Sequence, residues 1–204
     1  MSIVKSHRLS FSEREALILE AAGQLFAEKG FVGTTTRAIA LESGVNEALL
    51  FRHFKNKVEL YNALLKRKLE TFDALIAPEL RKTLELPVPE GLLKVAQIIV
   101  EKHRENIWFL RVMLFAALES HDLGQEFFKQ RLPLVEFLVE FFDKKISDGE
   151  LKTLDSAVLS RAYIAMIHHY VLITQVFNAK DHFPLPETAM LEQFVLIFTR
   201  GVQP

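Results

Sequence analysis

The sequence predicts an all-α protein, and three observations support this fold class. Apolar residues recur at the three- and four-residue spacing of amphipathic helices along most of the 204 residues. No segment shows the regular alternation of a half-buried strand. Proline and glycine cluster clearly at a single join, "LPVPEG" at 86–91, so helices can run without interruption on either side of it.

The first predicted helix lies in "SFSEREALILEAAGQLFAEKG". Ser12 and Glu15 have the spacing of a capping box, in which the two side chains satisfy backbone amides at the helix start. Apolar residues then follow with helical periodicity as far as Gly30, where we expect the helix to end.

Two short helices are predicted next, in "TTTRAIALESGVNEALLFRHFKNK". Thr35 is a favourable N-cap for a helix that ends at Gly44. Asn46 then caps the segment "EALLFRHF", in which Leu50 and Phe54 share one face.

A long helix follows from Asn56, and Pro78 is expected to kink or break it. Five further segments have helical apolar spacing: 89–104, 106–120, 123–147, 155–179 and 187–201. We place a domain boundary between residues 55 and 56. The second domain then covers 56–204 and begins with a connecting helix at 56–77.

Composition bounds the classes of function. Half of the residues are hydrophobic, as in a folded globular chain, and the net charge is −1. Residues 1–58 hold eight Lys/Arg against six Asp/Glu, an excess whose sign suits contact with nucleic acid. The lack of cysteine excludes disulfides, thiolate catalysis and cysteine-based metal sites. The N-terminus has no apolar core of signal-peptide length, so we expect a cytoplasmic protein.

One segment requires a membrane test. Residues 162–179, "AYIAMIHHYVLITQVFNA", contain no Asp, Glu, Lys or Arg, and their length is at the lower limit for a spanning helix. The segment includes two histidines and several amides and hydroxyls, and no second segment resembles it. We therefore expect a helix buried on most of its circumference and no membrane partner.

The two short helices around "ESG" have the arrangement of a helix-turn-helix. The alternative is an ordinary corner between two packed helices. Outward-facing polar and basic residues favour DNA, because the second helix of the motif enters the major groove by its N-terminal residues. We expect the following residues to lie outside: Asn46, Glu47, Leu49, Arg52, His53, Lys55 and Lys57.

Residues 12–66 closely resemble the N-terminal domain of the tetracycline-repressor (TetR) family of bacterial transcriptional regulators. The resemblance rests on "AAGQLFAEKGFVGTTTRAIALESGV", "LLFRHFKNK" and "KVELYNALL". The segment "ISDGEL" at 146–151 is also similar to a junction in the regulatory domain of this family. The resemblance implies a homodimeric repressor of a pseudo-palindromic double-stranded DNA operator, with a second domain that binds a small molecule.

The resemblance also implies roles for single residues. Thr35, Thr36 and Arg37 match positions that contact the DNA backbone, and Arg37 is additionally placed to reach a base. Asn46, Glu47, Ala48 and Leu49 match the base-reading start of the recognition helix, and Arg52 follows on its outer face. Phe51 replaces a tyrosine whose hydroxyl contacts phosphate, and His53 and Lys57 match phosphate-contacting positions.

The sequence supports two interpretations of Glu47 equally well. A glutamate can accept a hydrogen bond from cytosine N4, while Leu49 packs on a thymine methyl group. Alternatively, Glu47 only interacts with the positive N-terminus of its own helix.

The C-terminal half contains no phosphate-binding loop, HExxH motif or nucleophile–base pairing, so we expect neither an enzyme, nor a cofactor, nor a metal site. His168 and His169 are adjacent and diverge by about 100° on a helix, which prevents a shared metal. Seventeen phenylalanines favour an aromatic cavity for a small hydrophobic effector. The predicted lining residues are Trp108, Phe109 and Val112, facing Phe137 and Phe141, together with Met166, His169 and Ile173.

The last two predicted helices suggest how the chain dimerises. Helix 155–179 is too apolar to be covered by one neighbour, and Met190, Phe194, Ile197 and Phe198 form an apolar stripe on helix 187–201. Pairing both helices with their symmetry mates would bury these faces.

Two classes of function follow. The first is a ligand-responsive repressor. The alternative is a helical small-molecule carrier or DNA-organising protein on the same fold, and sequence-specific DNA binding that a small molecule releases separates the two.

Overall fold

The structure is a computed structural model that describes residues 9–71, 74, 76–119, 125, 133–182 and 185–202. Over these residues it contains ten α-helices and no strand, which confirms the predicted all-α class. The helices are α1 (Phe11–Gly33), α2 (Thr36–Glu42), α3 (Glu47–His53), α4 (Lys57–Thr71), α5 (Ala77–Arg81), α6 (Val88–Glu105), α7 (Ile107–Glu119), α8 (Pro133–Ser147), α9 (Ser156–Val171) and α10 (Glu187–Val202). Short 3-10 helices lie at Lys82–Glu85 and Lys180–His182, and a π-helix at Leu172–Val176 follows α9 directly.

The chain forms two compact units. The first holds the described residues of 1–67 and 108–127, and the second holds those of 68–107 and 128–204. This division differs from the sequence-based boundary between residues 55 and 56. The first turns of α4 and α7 from Trp108 onward belong with the N-terminal helices.

The capping box of α1 lies two residues earlier than the sequence suggests. Ser10 is the N-cap: its Oγ accepts from the amide of Glu13 at 3.2 Å, and the Glu13 carboxylate accepts from the Ser10 amide at 2.7 Å. Ser12 and Glu15 have the same spacing, but they lie inside the first turns of the helix. The backbone kinks at Gly30, where φ is +73°, so the chain turns at the predicted end of α1.

The other predicted caps and breaks agree with the structure. Thr35 and Asn46 are the N-caps of α2 and α3. Pro78 lies in the first turn of α5, as expected for a residue that starts a helix more easily than it continues one. The predicted helix 123–147 is described as a continuous helix only from Pro133, and residues 123, 124 and 126–132 lie outside the described part of the chain.

The first unit has its own hydrophobic core. Side chains from α1, α2, α3 and α4 meet in it, with Ile18, Ile39, Leu50 and Tyr61 fully buried. Helix α7 adds Val112 and Ala116 to the same core, and Trp108 and Phe109 pack against it. Helix α3 is thus held by a core to which α7 also contributes.

Trp108, Phe109 and Val112 belong to the first unit, and Phe137 and Phe141, which we expected them to face, are buried in the second. Within the first unit, α1 and α7 are in close contact. A Cβ atom added to Gly23 would lie 2.5 Å from Cζ3 of Trp108, so the missing side chain of Gly23 makes room for the indole.

The second unit is built around α6, α8, α9 and α10. Tyr163 on α9 is fully buried and donates a hydrogen bond from its hydroxyl to the carbonyl of Leu92 on α6, at 2.6 Å. Phe198 on α10 packs edge-on against Tyr163 and at a tilt against Phe142 on α8, with centroid distances of 5.2 and 5.7 Å. These aromatic contacts join three helices into one core.

Candidate functional site

Helices α2 and α3 meet at a tight turn whose geometry is set by hydrogen bonds. The amide of Val45 donates to the carbonyl of Ala40 at 3.0 Å and closes the end of α2. Gly44 has a φ of +70°, a left-handed conformation that glycine adopts without steric cost. Ile39 and Leu50, one from each helix, are fully buried. The turn and these two side chains fix the angle between the helices.

The N-terminus of α3 is held by two side chains. The Asn46 Oδ1 atom accepts from the amide of Leu49 at 2.8 Å, which leaves the amide NH₂ of Asn46 directed away from the cap. The Thr36 hydroxyl donates to Oε1 of Glu47 at 2.6 Å and links the first turns of α2 and α3. Glu47 therefore has a structural partner, which supports a positioning role for this carboxylate.

Most of the predicted DNA-facing residues lie at the surface of these two helices. The exposed ones are Thr35, Arg37, Asn46, Ala48, Phe51 and Arg52, and those half-buried are Thr36, Glu47 and Leu49. Two exposed cations accompany them, Arg37 in the first turn of α2 and Arg52 in the last turn of α3. This arrangement can contact phosphates on both sides of a groove while the start of α3 approaches the bases.

The position of His53 differs from the expectation that it lies outside. Its side chain has 0% exposure, and its ring stacks on Phe11 with a centroid distance of 3.8 Å. The Nδ1 atom lies 3.8 Å from Oε2 of Glu15. The ring therefore joins the end of α3 to the start of α1 and does not face solvent.

Lys57 also points into the first unit. Its Nζ donates to the carbonyls of Phe31 and Thr34, at 2.6 and 2.8 Å, and lies 4.3 Å from the centroid of the Phe31 ring. Burial lowers the pKa of Lys57, and the negative charge of Glu119 opposes this shift. Lys57 thus ties the start of α4 to the corner between α1 and α2, whereas we expected a phosphate contact.

Glu119, at the end of α7, is a second residue at this corner that the sequence did not single out. Its Oε2 accepts from the amide of Val32 at 3.0 Å. The corner therefore receives a cation from α4 and a carboxylate from α7. Neither contact has a local sequence signal, because the partners are 23 to 87 residues apart along the chain.

The predicted effector residues on α9 and the following π-helix have mixed exposure. His169 is exposed, and its neighbour His168 is the inward-facing histidine of the pair. Met166 and Ile173 are half-buried. The inward direction of His168 corrects the prediction that His169 faces the interior.

The predicted dimer stripe on α10 divides between two faces. Ile197 is 64% exposed, whereas Phe198 is 8% exposed and belongs to the core described above. Met190 and Phe194 are half-buried, and Phe194 packs edge-on against Tyr170. The exposed apolar surface of α10 therefore includes Ile197 and Leu196 but not Phe198.

Helix α9 and the π-helix leave much apolar surface open. Val158 is 63% exposed, and Ala162 and Ala165 on the same face are also exposed. The segment Ser156–Val176 is long and apolar enough to cross a membrane, and 39% of its most apolar window is buried within the chain. Core helices of globular proteins pass the same test. We expected this helix to be buried on most of its circumference, but contacts within one copy of the chain do not bury it to that extent.

Two family models match the chain. The model described as "Bacterial regulatory proteins, tetR family" matches residues 18–64, which contain most of α1 and all of α2 and α3. The model described as "AefR-like transcriptional repressor, C-terminal domain" matches residues 90–200, more than half of the chain.

Individual proteins show the same similarity. An uncharacterized HTH-type transcriptional regulator of Bacillus subtilis is 26% identical over 187 residues, which cover 91% of this chain and 95% of the relative. The regulator FadR from Bacillus subtilis, solved in complex with stearoyl-CoA, is similar with a TM-score of 0.74 and 20% identity, over 91% of this chain and 98% of that one. AibR, solved in complex with isovaleryl coenzyme A and operator DNA, has a TM-score of 0.68 and 21% identity, over 91% and 97%.

Proposed function

Because the chain belongs to the tetR family of bacterial regulatory proteins, we propose that it is a DNA-binding transcriptional repressor that a small hydrophobic molecule releases from its operator. The observation that carries this proposal is the capped pair α2 and α3, whose turn and buried faces present the start of α3 at the surface. Such a regulator acts on DNA in the cytoplasm and performs no catalysis.

Thr35, Arg37 and Arg52 are proposed to contact the DNA backbone, and the start of α3 is proposed to contact bases. Asn46 and Ala48 are exposed there, and Leu49 is half-buried beside them. Phe51, 46% exposed, supplies an apolar edge where the family more often has a hydroxyl. His53 and Lys57 are proposed to act indirectly, by fixing α3 and the α1–α2 corner.

The operator is proposed to be read by two copies of the chain. The open apolar face of α9 and the exposed Ile197 of α10 support a two-fold interface formed by these helices. Two recognition helices then meet half-sites about one helical turn apart, or a multiple of that distance.

The effector class follows from the second unit and from the relatives. Two similar structures are bound to acyl thioesters of coenzyme A, which join an apolar acyl chain to a strongly anionic carrier, so they support the apolar part of the effector. Aliphatic and aromatic side chains predominate in the interior of the second unit of this chain, and Phe137, Met166 and Ile173 are among the buried or half-buried ones. The protein can adopt one conformation that fits DNA and one that does not. For release, the effector must bind the second conformation more tightly than the first.

Selection of binding sites from random double-stranded DNA tests the first part of the proposal. We expect a pseudo-palindromic site whose affinity falls with rising salt, since phosphate contacts release counterions. Asn46→Ala is expected to alter the selected sequence, and Arg52→Ala to weaken binding to all sequences similarly. A protein that binds a small molecule but selects no DNA sequence would support the carrier alternative instead.

A further inference from the structure

Three polar side chains of the second unit contact the interface of α6 with α9 and its π-helix. His103 on α6 and His168 on α9 have ring centroids 5.0 Å apart in an edge-to-face arrangement. Gln175, in the π-helix that follows α9, donates from Nε2 to the carbonyl of Val100 at 3.3 Å. The segments that carry the three are otherwise predominantly apolar.

Two atoms of this cluster are buried without a partner. Among the residues that the structure describes, neither Nε2 of His168 nor Oε1 of Gln175 has a hydrogen-bonding partner. An unsatisfied buried polar atom costs about 1–3 kcal/mol, so chains retain such atoms where something else satisfies them. Gln175 also lies in a π-helical turn, a feature that occurs frequently at functional sites.

The hydrogen-bonding roles of the cluster can be assigned. His103 Nδ1 lies 2.8 Å from the carbonyl of Ile99, and because a carbonyl only accepts, this nitrogen carries the hydrogen. Gln175 uses its NH₂ group on Val100, so its unsatisfied oxygen is an acceptor and requires a donor. The free nitrogen of His168 takes either role, according to its tautomer.

The charges of the surroundings favour a neutral group. Burial holds the pKa of His103 below its ordinary value, and burial together with His103 lowers the pKa of His168 to about 4, so both rings are neutral at pH 7. The nearby Arg104 on α6 is already paired with Glu187 at 2.6 Å. A carboxylate would meet an amide oxygen and two neutral rings there, and none of these compensates its charge.

From this geometry we infer that Gln175 and His168 form the polar end of the effector site and bind an uncharged hydroxyl or N–H group of an otherwise hydrophobic molecule. The group donates to Oε1 of Gln175, and Nε2 of His168 is the second buried polar atom available to a polar group of the molecule. This inference rests on the proposed function, because it assigns the polar contact of the same effector.

Three probes with the same chain length test the inference: 1-decanol, decyl methyl ether and decanoate. Calorimetric titration of the full-length protein is expected to show 1-decanol binding about tenfold more tightly than the ether, which lacks the donor, and than the anion. Gln175→Leu is expected to bring the alcohol-to-ether affinity ratio close to one. His168→Phe should lower the same ratio, and it serves as the second variant if Gln175→Leu does not fold.

His182→Phe is the matched control, because it makes the same substitution at an exposed histidine outside α9. It is expected to leave all three affinities unchanged. Decanoate binding as tightly as the alcohol would overturn the inference. So would variants that alter only the melting temperature and leave the alcohol-to-ether ratio intact, since the two atoms would then be satisfied by water alone.

Release of the selected DNA site, measured in the same titrations, separates this inference from the proposed function. If 1-decanol bound in a way that depends on Gln175 but did not release DNA, the inferred polar site would stand and the proposed ligand-responsive repressor would be contradicted. If 1-decanol released DNA equally well from both variants, the proposed repressor function would stand and the inferred polar site would be wrong.

Discussion

The ammonium group of Lys57 shows how a single residue can serve the DNA surface without facing it. It donates to two carbonyls at the α1–α2 corner, so Lys57→Ala leaves both acceptors without this donor. We expect the free energy of unfolding to fall by about 1–3 kcal/mol, measured by urea denaturation. Lys55→Ala, at an exposed position, is the control and should leave stability nearly unchanged.

Lys57→Ala also distinguishes two roles of this side chain: capping of the two carbonyls at the α1–α2 corner, and direct contact with a DNA phosphate. A direct phosphate contact predicts that Lys57→Ala lowers the slope of log affinity against log salt concentration by about one unit. A lowered slope with an unchanged urea midpoint would contradict the capping role derived from the structure.

His168 makes the stability of the second unit depend on pH. Its pKa is about 4 in the folded chain, against an ordinary value of 6.5, because burial and His103 disfavour the charged ring. Between these two values the unfolded chain binds more protons, so stability is complete above about pH 6.5 and decreases as the pH falls toward 4. We expect the melting temperature to fall across this range, and to fall less in His168→Phe than in the control His182→Phe, at an exposed histidine outside α9. Equal pH profiles of the two variants would rule out His168 as the cause.

At the scale of helices, most local signals predicted the structure, although the capping box of α1 lies two residues earlier than expected. Long-range contacts did not follow from local signals. The caps Thr35 and Asn46 and the break at Pro78 depend on neighbours within four residues, and the structure has all three. The expected direction of His53 failed because its partner Phe11 lies 42 residues earlier in the chain. The contact between Trp108 and Gly23 was likewise not predicted, although Gly23 in the middle of a predicted helix was a signal that a large group approaches there.

The contact between Gly23 and Trp108 predicts a strong effect from one methyl group. Gly23→Ala places a Cβ atom 2.5 Å from the indole, so α1 and α7 must separate or the ring must move. We expect a loss of about 1–3 kcal/mol in the free energy of unfolding, together with a shift in Trp108 fluorescence. Gly201→Ala, where no atom of the described residues lies within 4 Å of the added methyl group, is the control and should be neutral or slightly stabilising. Equal stabilities of the two variants would show that α1 and α7 do not pack as described.

For the whole molecule, assembly and DNA binding are expected to be linked. One copy leaves Val158 and Ile197 more than 60% exposed, and one recognition helix alone offers a small contact area. A second copy that covers the apolar face of α9 would solve both problems, since burial of apolar surface stabilises the dimer and the dimer reads two half-sites.

Ile197→Glu tests this link more cleanly than a change at Phe198, because Ile197 is exposed in the single chain and Phe198 belongs to its core. The variant is expected to remain helical by circular dichroism and to sediment as a monomer, since a glutamate buried in an apolar interface lacks a counter-charge. Its affinity for the full pseudo-palindromic site should then fall toward that for a single half-site. Leu118→Glu, at a position 85% exposed on α7, is the matched control and should remain dimeric with unchanged affinity. A dimeric Ile197→Glu variant with full affinity would place the interface on another surface of the chain.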